Sequence, residues 1–391
     1  MFDIDHAREK LKNALSSFRA TLPETFSIWR LELDAAGRLA KYLGEKMMPL
    51  SALPLLLGKG DISTDEGAYQ CFIPAYLSAA HSLDFDESVF QDVVSQIVEF
   101  QRSHCYRFTT FAFLFGCRAS IEFQCGPLLI GPPNAHCLEV LYNTWDVLKG
   151  GHSPFSLNRP GLINLLNSAV MIRNVTSVLD VKEIPPLDNA VSTFLKAIGL
   201  SHGVRQGLVL SPIQTRSDLY LPGAASRVCY IHGFDITQSD SINPFIIDAD
   251  KISARYSELV RCANLPFLAP DKILSAMTRI TPEDKYVDLI TALESCFENI
   301  RQELRYRLSL SCAAVLGRSF TVYKEMLDLY DVRSNIVHGN FKPNDIRDDL
   351  EKLESYVIPV IGYFLSELAR GNAKSLDEAN KKIEKLLLSA P

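Results

Sequence analysis

An arginine and a histidine five positions apart, Arg333 and His338, stand in the decapeptide Tyr330-Asp-Val-Arg-Ser-Asn-Ile-Val-His-Gly339, with a hydroxyl and an amide, Ser334 and Asn335, between them. Arginine keeps its proton and makes bidentate contacts with phosphate. Histidine is the side chain best suited to moving protons near neutral pH. The pair has the chemistry to cleave RNA without a metal: His338 handles the proton of the 2′-hydroxyl or of the leaving group, and Arg333 neutralises charge building on the phosphoryl oxygens. On an ordinary helix the same two residues serve as an ion-paired cation and a capping imidazole, so the surrounding segments have to decide.

If this stretch is helical, Asp331, Ser334, Asn335 and His338 share one polar face, being 3, 4 and 7 apart. Met326, Leu329, Ile336 and Val337 supply apolar surface elsewhere. Arg333 and His338 then point about 140° apart and do not converge unless the helix unwinds near Gly339. Two copies of the helix facing one another remove that difficulty, which favours a shared site. Asp331, one turn before Asn335, is placed to orient His338, to pair with Arg333 or to remain a surface acid. Arg301, Arg305 and Arg307, on the preceding segment, can guide an RNA backbone; equally, such charges form a solvated face or pair with Glu298 and Glu303.

The elements that must position this motif read as helices from roughly Ile252 onward. Thr281-Pro282-Glu283-Asp284 combines a cap, Pro at the first helical position and acids in the first turn, and Val287, Ile290, Leu293 and Phe297 continue the stripe. A second helix is expected over about Gln302–Leu316, ended by Gly317. A third runs from about Phe320 through the motif. A fourth starts near Asp345 and passes Leu365 to reach Gly371, with a kink or break expected at Pro359. Ser375-Leu376-Asp377-Glu378 is a capping box for a last helix ending at Leu388.

The first 248 residues read as mixed. Helices are expected over Asp5–Phe18, Asp86–Gln101, His136–Leu148 and Pro160–Asp180. Short Phe-, Thr-, Ile- and Leu-rich runs between Phe108 and Ile130, broken by Gly116, Gly126 and Gly131-Pro132-Pro133, predict strands and turns. Further strand-like pieces are Gly207–Leu210, Asp218–Leu221 and Arg227–Ile236, and Val181–Asp188 reads as a connection. Gly58-Lys59-Gly60-Asp61 lacks the order of a phosphate loop and reads as a surface turn. His232-Gly233-Phe234-Asp235 reads as a strand end. The expected fold class is α+β: a mixed α/β region over residues 1–248, divisible near 181–188 and a candidate sensor or regulatory region, followed by an all-α bundle over residues 249–391.

Composition narrows the function classes. The 391 residues are 47% hydrophobic and 22% charged, enough apolar content for a core. The net charge of −6 argues against a protein that coats nucleic acid non-specifically, though not against a nuclease with a small basic cleft. No apolar run is long enough to span a bilayer, and the N-terminus lacks a secretory core, so a cytoplasmic protein is expected. Nine cysteines without a Cys-x-x-Cys pair fit reduced, buried thiols. Cys105, Cys117, Cys125 and Cys137 with His104 and His136 match no compact zinc spacing, so no metal and no cofactor is expected.

Three segments together, Asp288-Leu-Ile-Thr-Ala-Leu-Glu294, Glu303-Leu-Arg-Tyr-Arg-Leu-Ser-Leu310 and Tyr330–Gly339, resemble the Apea-like branch of the HEPN superfamily. The helical layout matches over roughly Ile252–Leu368, and the last segment carries most of the specificity. The resemblance implies a helical bundle that dimerises, with Arg-x(4–6)-His motifs meeting at the interface. It also implies a metal-independent endoribonuclease leaving 2′,3′-cyclic phosphate and 5′-hydroxyl ends, as in toxins and antiviral (antiphage) defence effectors. Arg333 and His338 fall on the motif's invariant positions, with Ser334 and Asn335 as supporting polar residues. The expected partners are an RNA substrate, a second copy of the chain and a regulatory ligand or protein at the N-terminal region, with no membrane. A non-catalytic interaction, nucleotide- or RNA-binding module is the alternative, supported by the acidic charge. A metal-dependent hydrolase in the N-terminal region is weaker, because its acids form no recognisable ligand set.

Overall fold

The computed structural model describes residues 4–21, 76, 84–103, 106–133, 169–178, 187–204, 208–211, 213–217, 227–229, 244–297, 303–317, 319–339 and 346–388. The chain is a mixed α+β protein with a largely antiparallel sheet and many helices. Helices α1 (Ile4–Thr21) and α2 (Glu87–Ser103) precede the sheet and cover the segments where helices were expected. They touch through Arg8, which pairs with Glu87 at 3.0 Å and lies over the Phe90 ring.

The sheet is centred on β1 (Tyr106–Phe115), which pairs along its whole length with β5 (Ala169–Val178). The strand order is β3-β4-β5-β1-β7-β8, with β3 at Phe123–Cys125, β4 at Leu128–Gly131, β7 at Ile213–Ser217 and β8 at Arg227–Cys229. Strand β6 (Val209–Leu210) pairs with the end of β1, while β2 (Cys117–Arg118) and β9 (Phe245–Ile246) form a separate parallel pair. The apolar run of β1 has no polar side because both faces are covered. Ala112 and Leu114 join the core under the helices, and the alternate residues Phe111, Phe113 and Phe115 form an aromatic row on the other face.

Strand β5 corrects the helix expected over Pro160–Asp180. Val170, Ile172, Val175 and Thr176 are β-branched residues that fit a pleated ladder, and all ten β5 residues oppose β1. The remainder of that segment lies outside the described residues. So do His136–Leu148, Gly58-Lys59-Gly60-Asp61, Asp218–Leu221, His232-Gly233-Phe234-Asp235 and most of Val181–Asp188.

Asp188 opens α3 (Asp188–His202), a helix not anticipated from the sequence. It buries Val191, Phe194, Leu195 and Ile198 and packs against α4 (Ala249–Arg261) and α5 (Ala269–Thr278). Gly199 allows the approach to α5: a Cβ there would meet Ile273 Cγ2 at 2.6 Å and Met277 Sδ at 2.7 Å. At its end Gly203 has φ 85°, and the Glu354 carboxylate accepts from the Val204 N–H at 2.9 Å.

The remaining helices are α6 (Pro282–Ser295), α7 (Leu304–Val315), α8 (Phe320–Val337), α9 (Ile346–Ala369) and α10 (Leu376–Leu388). Thr281 caps α6, its hydroxyl accepting from the Asp284 N–H at 3.2 Å. Gly317, at φ 91°, lies just past α7 as expected. Before α10 the capping box is shifted: Ser375 Oγ accepts from Glu378 N–H, but Glu378 reaches back to Lys374 N–H rather than to Ser375. Helix α9 runs on through Pro359, so of the expected kink or break the break does not occur. The buried Val357, Val360 and Ile361 around Pro359 supply packing that offsets the missing ladder bond. One contiguous apolar cluster joins Leu114, Ile130 and Ile172 of the sheet to Phe194 of α3, Leu289 of α6 and Phe364 of α9. Among the described residues no helix is long and apolar enough to cross a membrane.

Candidate active site

Helix α8 carries the Arg-His motif, and three other helices fix it. Ser319 starts it by accepting from the Val322 N–H at 3.3 Å. Met326 and Leu329 are buried. The Tyr286 hydroxyl of α6 donates to the Leu329 carbonyl at 2.7 Å, and burial pushes that phenol far up. On the α9 side Glu325 accepts from the Tyr356 hydroxyl and pairs with Lys352 at 3.0 Å, which lowers its carboxyl pKa. The helix stops inside the motif. His338 is the C-cap residue, its N–H donating to the Ser334 carbonyl at 3.0 Å, and Gly339 follows at φ 71° with its N–H on the Ile336 carbonyl.

Arg333 lies on the flank of α8 that faces α6. Its guanidinium is 3.7 Å from Glu294 Oε2, an ion pair longer than a hydrogen bond, and its Nε is buried without a partner among the described residues. The other Glu294 oxygen accepts from the Tyr330 hydroxyl at 2.7 Å. Burial first, and then this carboxylate, push the Tyr330 phenol up to about 12. The Tyr330 ring sits 6.0 Å from the Arg333 guanidinium carbon.

The opposite flank is open. Asp331, Asn335 and His338 are exposed and share the face that their spacing predicts, while Ser334 is half-buried. Asp331 pairs with Arg305 of α7 rather than with Arg333, and Arg305 Nε also donates to the Leu327 carbonyl at 3.4 Å. Arg307 is 3.6 Å from Glu384, both half-exposed. The sequence offered Glu298 and Glu303 as partners for these arginines; the described pairs are with Asp331 and Glu384 instead. Arg301 and Glu298 lie outside the described residues. No hydrogen bond or ion pair joins Arg333 to His338, so within one chain the two named residues are not brought together. Both roles of an ordinary helix are occupied here: the arginine has an acid beside it, and the histidine ends the helix.

Sequence reasoning assigned no role to Glu294. Its signal was weak, since it is one of five charged residues in α6 and its partners Tyr330 and Arg333 lie on another helix. For the cysteine–histidine set, Cys117 and Cys125 are buried in strands, and burial raises both thiols. Cys105, Cys137, His104 and His136 lie outside the described residues. Among the described residues no group of three His, Cys, Asp or Glu side chains is arranged to hold a metal ion.

In comparisons with known proteins, the chain matches no family model, no curated protein and no solved structure.

Proposed function

We propose that the chain is a metal-independent endoribonuclease of the HEPN type, its helices α4–α10 forming the HEPN-like bundle, and that it acts as a homodimer. The observation that carries this reading is the separation of the two motif side chains. His338 is exposed at the end of α8, and Arg333 sits on the other flank with its guanidinium loosely held by Glu294. A second copy of α8 lying against the first would let the arginine of one helix and the histidine of the other flank one phosphate. In the reaction the 2′-oxygen attacks phosphorus as its proton passes to a base, and the P–O5′ bond breaks as a proton reaches the 5′-oxygen. The products are a 2′,3′-cyclic phosphate and a 5′-hydroxyl. His338 carries one of these protons, Arg333 stabilises the phosphoryl charge, and Asn335 and Ser334 support them. The biological setting that fits is a toxin or antiphage effector gated through the N-terminal region.

A second reading, a non-catalytic interaction or nucleotide-binding module, is favoured by one observation: Arg333 already has an anionic partner and His338 already has a capping position. Incubation of purified protein with total RNA and tRNA in chelator, followed by end-group analysis, decides between them. Cyclic phosphate ends from the parent, lost in Arg333→Ala and His338→Ala dimers, support the ribonuclease. Loss of folding or dimerisation in those variants, with no cleavage by the parent, supports the module.

A further inference from the structure

Among the described residues, Arg305 is the cation that pairs with an acid on the His338 face of α8. It reaches from α7 to the carboxylate of Asp331, which shares an exposed face with Asn335 and His338. Asp331 precedes His338 by about 10 Å of helix at 1.5 Å per residue. That length spans about three phosphates of a stacked strand, at ~3.4 Å each. Beside Arg305 stands Tyr306, 51% exposed, with its ring centroid 5.4 Å from the Arg305 guanidinium carbon. An exposed aromatic ring paired with an arginine is the combination that single-stranded nucleic acid uses: the ring stacks a base and the guanidinium takes a phosphate.

We propose that Arg305 and Tyr306 form a strand-binding subsite that holds an unpaired stretch of RNA a few nucleotides from the bond cut at His338. The proposal rests on the ribonuclease reading and narrows its substrate to RNA that is single-stranded beside the cleavage point. Asp331 is the anion that occupies Arg305 when no phosphate is present. The pair is half-exposed, so its carboxylate holds the guanidinium weakly, and a phosphate oxygen can take the same place. A base-paired strand has no free base face to offer Tyr306, so a duplex loses that half of the contact.

Binding tests this apart from catalysis. The full-length His338→Ala chain is titrated, by fluorescence anisotropy, with a labelled single-stranded RNA octamer and with the same strand annealed to its complement. In that background Arg305→Ala and Tyr306→Ala should each weaken octamer binding about tenfold. Tyr306→Phe should bind like the His338→Ala chain, and Arg305→Ala should reduce the salt dependence by about one ion. Asp331→Asn breaks the same ion pair but leaves Arg305 in place, so it should bind no more weakly. Unchanged binding in Arg305→Ala and Tyr306→Ala overturns the subsite, as does an equal loss in Asp331→Asn, which would make the pair structural. Cleavage by the parent alongside unchanged binding would remove the subsite and leave the ribonuclease standing. Absence of octamer binding together with intact RNA under the parent would remove both.

Discussion

The two flanks of α8 hold charged groups in contrasting circumstances. On the α6 side, Arg333, Glu294 and Tyr330 lie among half-buried and buried neighbours, and their contacts also hold two helices together. On the α7 side, Asp331, Asn335 and His338 stand in solvent, and Arg305 reaches Asp331. A substitution on the inner flank therefore disturbs packing and chemistry together. On the outer flank the two are separable, because an exposed group contributes little to the folded state.

The sharpest test of that contrast is His338→Ala. Cleavage should fall by about 10²–10⁴-fold, the usual worth of a positioned general acid or base, while the melting temperature stays that of the parent. A melting temperature that fell with the rate would erase the distinction between flanks. Leu329→Ala probes the inner side without touching a charge. Leu329 is 2% exposed, so truncation should cost about 2–5 kcal/mol in denaturant unfolding. A smaller inner-flank effect comes from Tyr330→Phe, which removes the hydroxyl from Glu294 and should cost about 1 kcal/mol. The Tyr330 phenol also gives the contrast a pH signature. Its folded pKa is raised to about 12, so the fold favours the protonated form. That contribution is complete below the unfolded value of about 10 and is lost as pH rises through about 12. Difference absorbance titration of the parent against Tyr330→Phe should place this midpoint, and Glu294→Gln should move it downward. The smallest effect is expected for Asp331→Asn, below about 1 kcal/mol because its pair with Arg305 is half-exposed. A larger loss would mean that the outer flank is structural as well.

What the sequence disclosed follows the range over which each signal acts. Thr281 and Gly317 were legible because a cap and a left-handed terminus are decided within a few residues. The shared face of Asp331, Asn335 and His338 was legible for the same reason, since helical period alone produces it. Strand β5 was misread as helix because its ladder partner, β1, is distant in sequence and its apolar residues suit either element. Helix α3 carries Val191, Phe194, Leu195 and Ile198 at helical spacing, but it begins where the expected connection Val181–Asp188 ends. Pro359 misled because local geometry argues for a break, whereas packing on both sides of the residue keeps α9 whole. Within the site, the partnerships of Arg333 with Glu294 and of Arg305 with Asp331 come from helix packing, which has no period to read.

The closeness of α3 to α5 decides what could be moved intact into another protein. Gly199 lets the backbone of α3 rest on Ile273 and Met277, and Glu354 of α9 holds the Val204 N–H just past its end. A graft beginning at residue 249 would carry α8 and its motif but leave behind the surface on which α5 is seated. The turn at Gly203 and α3 would have to travel with it, and so would the sheet, whose Leu114, Ile130 and Ile172 belong to the same apolar cluster.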